Sequence, residues 1–396
     1  MGILKKEMNA MTLRALLPGL LLITLLVGAS VLRATDPADA ALLTNEEVTL
    51  LPDAPPHPAV PASAIEPAPG SKLSEDLAKL AKTNNRSGEE LAPLIEKFPN
   101  YSPSRTEFQG TLRITGSDSL GTLLVRAAGS YKSIYPNAVI EIRQGGSMKG
   151  LQELQSGNCE MAAVSRDLSA EEVARIEQAT GRQVFTIPVA LGAVCVYVNA
   201  DNPIKGLTKA QCNGIFSMEH SMTAAPIIRW KQLDPSSPLG SAAAPLYMEN
   251  KLSGTLQVFR DWCMPGENFT TINRFIEPGP SSVVNACCAY PSAIGIAGFA
   301  YRQPRAKAVP LATNAVGAYV APSIATIRNG TYPMRQRMHL VLLSQSKEQI
   351  PPMARDFLRF LLSQDGQDMV AKNGLIPADP SIIPDFLGER LNGRWH

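Results

Sequence analysis

The sequence has few of the residues from which metal and redox sites are built. Its four histidines, His57, His220, His339 and His396, are scattered along 396 residues without a spacing suited to one metal ion. Neither a CxxC pair nor an HExxH motif occurs, which removes the commonest zinc and redox patterns. We therefore expect no metal and no cofactor.

Charge of one sign is also scarce. Only 18% of the residues are charged and the formal net charge is +2, whereas nucleic-acid binders carry a basic patch or stripe. We expect no nucleic-acid partner, so that any anion selectivity must come from a local site. The G-x-S-x-G motif of serine hydrolases is missing too, and the chain is not expected to be an enzyme.

The N-terminus is typical of an exported protein. Lys5, Lys6 and Arg14 precede an uncharged run from Ala15 to Leu32, and a small-x-small sequence follows at residues 38–40. This pattern predicts a signal peptide over 1–40, with an uncleaved membrane anchor as the alternative. Either interpretation places the remaining chain outside the cytosol, in the periplasm or an equivalent extracytoplasmic space; under the second, it is anchored to the inner membrane.

Six cysteines are compatible with that compartment, and two interpretations remain open. An even count in an exported chain suggests disulfides, whereas the alternative is that the thiols are small buried apolar groups. The residues are Cys159, Cys195, Cys212, Cys263, Cys287 and Cys288.

Between the N-terminus and the main domain, the composition predicts two segments. Residues 51–70 hold seven prolines, so 41–70 is predicted to be an extended Pro/Ala-rich linker. Residues 71–107 follow as a helical extension, in which Leu73, Leu77 and Leu80 share one face.

From residue 108 onwards, strand-like and helix-like runs alternate, which predicts an α/β fold with a largely parallel sheet. The apolar stretch 184–200 is predicted to form two strands. The pattern restarts after residue 203, and an amphipathic helix returns near the end. We expect two lobes, 108–194 with 311–396 and 195–310, joined by crossovers near 190–197 and 300–315. A cleft between such lobes can close on a ligand.

Four turns of this region carry hydroxyls, glycines or a guanidinium where a strand gives way to a helix. Helix N-termini that converge on one point favour an anion, and arginine offers a fork that suits tetrahedral oxyanions. The simpler alternative for each serine is an N-cap. The turns are Ser117-Asp118-Ser119, Gly145-Gly146-Ser147, Ser165-Arg166-Asp167 and Leu252-Ser253-Gly254-Thr255.

The order of these turns resembles the phosphate-binding proteins of phosphate ABC transporters, the PstS type. The similar stretches cover about two-thirds of the chain and include "ITGSDSLGTL", "QGGSMKGLQELQSG", "MAAVSRDLS", "LSGTLQVFRDW" and "PSAIGIAGFAYR". The resemblance implies the two-lobed type 2 periplasmic binding protein fold. It also implies that phosphate is bound between the lobes and delivered to an ABC permease, by a chain that we expect to be a monomer.

The resemblance assigns phosphate contacts residue by residue. They are Ser117, Asp118, Ser119, Ser147, Ser165, Arg166, Ser253, Gly254 and Thr255. Asp118 would accept a hydrogen bond from protonated phosphate and so exclude sulfate, which has no proton to donate. The alternative for Asp118 is a helix-start carboxylate stabilised by the helix dipole.

One position departs from the family pattern. Relatives usually carry arginine six residues before the threonine of "SGT", where this chain has Glu249. Lys251 could compensate as a point charge without the fork. Otherwise the chain binds another oxyanion, or is a sensory or structural protein that keeps the fold with a weakened site.

Overall fold

The structure, a computed structural model, describes residues 90–382 together with 387, 390–391 and 394–395. The predicted signal or anchor, the linker and the first part of the extension lie outside the described residues. Within the described part, no helix is both long enough and apolar enough to cross a membrane.

The first half of the described chain builds one sheet. β1 (Gly110–Gly116) pairs in parallel with β2 (Ala138–Gln144) and with β3 (Met161–Val164). A strand from later in the chain, β11 (Arg335–Ser344), runs antiparallel to β3 and to β4 (Gln183–Asn199). Alternating strand and helix leave the carboxyl ends of β1 and β3 at one edge, where ligands of open α/β sheets bind. The elements are β1 (Gly110–Gly116), α1 (Asp118–Ile134), β2 (Ala138–Gln144), α2 (Ser147–Gln155), β3 (Met161–Val164), α3 (Ala170–Thr180) and β4 (Gln183–Asn199).

The second sheet is built on the distal part of β4. β8 and β9 pair antiparallel to β4, and β6 lies parallel to both β8 and β7. A separate pair joins β5 to β10. The elements are β5 (Leu207–Thr208), α4 (Lys209–Phe216), β6 (Leu246–Met248), α5 (Gly254–Cys263), β7 (Arg274–Ile276), α6 (Pro280–Ala289), β8 (Ile294–Gly298), β9 (Ala306–Ala308) and β10 (Leu311–Ala312).

The chain then returns to the first sheet. The remaining elements are α7 (Ile324–Arg328), β11 (Arg335–Ser344), α8 (Pro352–Leu361), α9 (Gln364–Lys372), β12 (Ile376–Pro377), β13 (Arg390–Leu391) and β14 (Arg394–Trp395), with 3₁₀ turns at Trp230–Gln232, Phe299–Tyr301 and Pro380–Ile382. Each sheet has its own apolar cluster, around Ile114, Leu340 and Phe357 in one case and around Val196, Tyr247 and Phe259 in the other. This is the two-lobed α/β fold that the sequence predicted.

The crossing strand differs from the prediction. Residues 184–200 were expected to form two strands, but β4 is one strand of 17 residues that belongs to both sheets. Pro188 lies opposite His339, and the register with β11 shifts there, between Met338 and His339. The extra, unpaired residue is Val189 of β4, so the bulge lies in β4 next to Pro188, which cannot donate to the ladder.

The boundaries between the lobes stay a prediction. The packing of residues 311–334 gives information on the second crossover, which was expected near 300–315. Leu311 pairs with Leu207 of β5, and Met334 belongs to the apolar cluster of the second sheet. Its carbonyl accepts a hydrogen bond from the Val194 N–H at 2.9 Å. This packing favours a return near residue 334 rather than 311.

The described part of the N-terminal extension contacts both lobes. Residues 90–95 are helical; Leu91 belongs to the cluster of the second sheet and Phe98 to that of the first. The Gln364 N–H donates to the Pro99 carbonyl at 2.9 Å, and the Tyr101 hydroxyl donates to Asp356 at 2.6 Å. The described part of the extension, from residue 90 onwards, therefore packs against the main domain.

All six cysteines are buried and none forms a disulfide. Five of them, Cys195, Cys212, Cys263, Cys287 and Cys288, pack into the apolar cluster of the second sheet. The structure thus places the thiols as small apolar core groups.

Candidate functional site: a buried cluster of turns between the lobes

The first three turns meet at the carboxyl ends of β1 and β3. The Ser117 N–H donates to the Ala163 carbonyl at 2.8 Å, and the Gly146 N–H donates to the Gly116 carbonyl at 3.1 Å. Gly116 has φ of +142°, and a Cβ there would lie 2.2 Å from the Ala163 carbonyl oxygen. Glycine is therefore required where the chain turns from strand to helix.

The fourth turn, from the second lobe, lies against the other three. The hydroxyls of Ser119 and Thr255 are 3.3 Å apart, and those of Ser147 and Ser165 are 3.2 Å apart. A Cβ on Gly254 would lie 2.4 Å from the Ser147 hydroxyl and 2.5 Å from that of Ser165. The start of α5 therefore packs directly onto the serine pair of the first lobe.

These contacts bring nearly all of the predicted residues together. Ser117, Ser119, Ser147, Ser165, Arg166, Ser253, Gly254 and Thr255 are all buried, and Asp118 is partly buried. Lys251 is exposed on its loop, so the structure does not bring it into the buried group.

The helix starts at the site differ from other helix starts in the chain. α1 and α5 begin after Ser117 and Ser253, and α2 begins after Gly146; none of these residues caps its helix through a side chain. In contrast, Ser169 forms a full capping box with Glu172 at α3, and Thr208 does the same with Gln211 at α4. The serines of the site are thus not ordinary N-caps.

The Asp118 carboxylate lies at the junction of the first two turns. Burial raises its pKa, while hydrogen bonds from the backbone N–H groups of Asp118, Gly145 and Gly146 lower it. The carboxylate is therefore partly desolvated but its charge is supported by backbone donors.

Arg166 uses most of its donors inside the protein. Its Nη1 donates to Glu172 at 2.7 Å and to the Asp167 carbonyl at 2.9 Å; its Nη2 donates to Glu172 at 2.6 Å and to Met148 Sδ at 3.2 Å. Of its five N–H groups, the Nε–H alone is buried without a partner in the described chain. A ligand could be reached through Nε, or through Nη2 if it replaced the weak sulfur acceptor.

Glu249 is buried on the second lobe's side of the site, at 3% exposure. It accepts a hydrogen bond from the Ser253 hydroxyl at 2.9 Å. Burial raises its pKa to about 7; the Ser253 hydrogen bond lowers it and the charge of Asp118 raises it. Where the resemblance implies arginine, this chain therefore has a buried carboxyl group in the electrostatic neighbourhood of a second one, that of Asp118.

The sequence analysis missed two side chains of this region. The Tyr301 hydroxyl donates to the Asp118 carbonyl at 3.3 Å, and Gln336 Nε2 donates to the Ser165 carbonyl at 2.9 Å. Tyr301 lies in the "GFAYR" stretch already noted for its resemblance, whereas Gln336 comes from β11 and had no local signal. No group of three His, Cys, Asp or Glu side chains suited to a metal is present among the described residues.

Two lobes joined by a shared strand, with turns from both buried against one another, define the class of two-lobed binding proteins. A family model described as a PBP superfamily domain matches residues 102–365. The phosphate-binding protein PstS of Pseudomonas aeruginosa is 31% identical over 301 residues, which cover 76% of this chain and 92% of that protein.

Two further proteins with phosphate-binding names are similar to this chain. The phosphate-binding protein PstS of Bacillus subtilis is 26% identical over 285 residues, covering 71% of this chain and 85% of that protein. A crystal structure from Clostridium perfringens, assigned as a phosphate ABC transporter substrate-binding protein with bound phosphate, has a TM-score of 0.56 at 26% identity. The match covers 68% of this chain and 100% of the chain in that crystal structure. The chain belongs to the PstS-type phosphate-binding protein family of the PBP superfamily.

Proposed function

We propose that this protein binds inorganic phosphate between its lobes, outside the cytosol, and passes it to an ABC permease without transforming it. The observation that carries the proposal is the burial of hydroxyls from four turns and both lobes around helix starts that no side chain caps. Backbone N–H groups at such starts, together with hydroxyl donors, suit a tetrahedral oxyanion. Family membership supports the same ligand and the same partner.

Asp118 would supply the selectivity. Phosphate keeps a proton at neutral pH and can donate it to the carboxylate, whereas sulfate cannot and would leave two negative groups facing each other. A site built around a ligand proton discriminates strongly against an analogue that lacks it, by roughly 10⁴-fold or more in well-characterised cases.

The test is a calorimetric titration of protein freed of carried-over anion, with phosphate, arsenate and sulfate in turn. We expect phosphate and arsenate to bind and sulfate to be rejected. Asp118→Asn replaces the carboxylate with an amide that can donate a hydrogen bond. This variant should bind phosphate more weakly and discriminate less strongly against sulfate. Absence of heat and of thermal shift with millimolar phosphate would overturn the proposal.

Glu249 favours a second candidate within the same class. If a carboxyl group in place of arginine has changed the preferred anion, the protein would bind another protonated oxyanion more tightly than phosphate. The arsenate arm of the titration addresses this candidate directly.

A further inference from the structure

Two carboxyl groups belong to turns of opposite lobes that are buried against each other, and the charge of one acts on the other. Asp118 belongs to the start of α1, and Glu249 to the loop between β6 and α5. Tyr301, in the 3₁₀ turn that follows β8, donates its hydroxyl to the Asp118 backbone carbonyl at 3.3 Å. Burial raises the pKa of Tyr301, and the charges of Glu249 and Asp118 raise it further, so the phenol remains a neutral donor.

The surroundings of the two carboxyl groups are unequal. Asp118 has three backbone N–H groups that support its charge, whereas Glu249 has the hydroxyl of Ser253. The groups that face Glu249 are Ser253 from its own loop, Asp118 from α1 and Tyr301 from the 3₁₀ turn, and none of the three is a cation. Lys251, on the same loop, is exposed and its charge is screened by water.

A buried carboxyl group without a cation favours its neutral form. Of the two groups, Glu249 has the weaker support for a charge and is therefore the one that more readily takes up a proton. Protonated Glu249 has an O–H that can donate to a ligand oxygen, where an arginine would offer two N–H groups and a positive charge.

We propose that Glu249 couples phosphate binding to protonation, so that the bound complex holds a proton between Glu249 and a phosphate oxygen. This inference rests on the proposed function and concerns the same site. The proton comes from solvent or arrives on the ligand, and both routes give the same complex. The ligand class is an oxyanion with ionisable protons, bound in a more protonated state than a site with arginine would select.

The coupling predicts a specific pH dependence. Above the pH at which Glu249 ionises, affinity should fall by about tenfold per pH unit, because one additional proton must be bound for each ligand. Phosphate itself also titrates near neutrality, so the dependence has to be compared between variants.

The experiment is phosphate calorimetry from about pH 5.5 to 8.5 in two buffers of different ionisation enthalpy, on the full chain. Glu249→Gln keeps the shape and a donor but cannot titrate. Glu153→Gln is the matched control, since Glu153 is a partly exposed carboxylate on α2, outside the buried group of turns. We expect wild type and Glu153→Gln to take up about one proton more per bound phosphate than Glu249→Gln, and to lose affinity more steeply at high pH.

Two contrary outcomes are distinguishable. If wild type and Glu249→Gln bind phosphate with the same pH profile and proton uptake, the inference is overturned and the proposed function stands. If wild type binds phosphate at no pH in the range, the proposed function is overturned and the inference falls with it.

Discussion

Gly254→Ala tests whether the start of α5 closes onto the first lobe in the way the structure shows. The added methyl group would lie 2.4 Å from the Ser147 hydroxyl and 2.5 Å from the Ser165 hydroxyl, well inside van der Waals contact. Neither serine can move easily, because both are buried and the Ser147 hydroxyl also accepts from the Ser165 N–H at 3.1 Å.

The expected magnitude follows from overpacking. Inserting a methyl group into a well-packed site costs about 1–3 kcal/mol, which corresponds to a loss of phosphate affinity of about 5- to 150-fold. The second lobe itself should not be destabilised, because alanine is a better helix former than glycine. The cost should therefore fall on closure and binding rather than on folding.

Phosphate calorimetry and chemical denaturation measure the two quantities separately. Gly129→Ala is the matched control, since nothing lies within 4 Å of a Cβ at that position of α1. Small-angle scattering at saturating phosphate should show Gly254→Ala more open than the control. An unchanged affinity in Gly254→Ala would refute the packing of α5 on the serine pair in the liganded protein.

Three further predictions concern single charges of the site. Arg166→Ala should weaken phosphate binding roughly tenfold to a hundredfold, because a charged donor is lost. Glu172→Gln should weaken binding less, because the guanidinium stays. An unchanged affinity of Arg166→Ala in calorimetry would show that Arg166 does not belong to the site. Lys251→Ala should alter affinity less than about threefold, since exposed charges contribute little; loss of binding in this variant would instead support compensation by Lys251. The free energy of unfolding should fall as the pH rises from 4.5, the ordinary pKa of a glutamate, to about 7, the pKa of Glu249 in the folded protein. Folded Glu249 holds its proton more tightly than the unfolded chain does, so this stabilisation is lost as the group ionises. Urea titrations at several pH values should show a weaker pH dependence in Glu249→Gln.

The fold could be predicted from the sequence because its decisive features are local. Alternating periodicity marks strands and helices, and serine and glycine mark the turns between them. The continuity of the crossing strand β4 could not be predicted in this way. The bulge next to Pro188 forms opposite His339 of β11, which is some 150 residues away in the sequence. Packing between distant segments decided whether 184–200 was one strand or two.

The sequence indicated which turns would lie together, but not the hydrogen bonds among them, and the contacts of these residues with phosphate stay a prediction. Ser117, Ser147 and Ser253 were assigned from their turns, and the structure buries all three. Sequence spacing could not indicate that Arg166 pairs with Glu172, because the same glutamate also completes the capping box of α3. Whether the arginine acts on a ligand therefore depends on a pairing that only the folded chain defines.

If phosphate binds between the lobes as proposed above, closure and ligand binding are one event. The Ser119–Thr255 contact joins the lobes, and so does the hydrogen bond from the Met148 N–H to the Leu252 carbonyl at 3.3 Å. Opening the cleft would return these groups to water, so a ligand that bridges them shifts the population towards the closed form by its differential affinity. Glu249 arrives with the second lobe, and its distance from Asp118 is therefore set by closure. A proton held on Glu249 would remove the repulsion between the two carboxyl groups. The protonation state of Glu249 would then shift the equilibrium between the open and closed forms, as the ligand does.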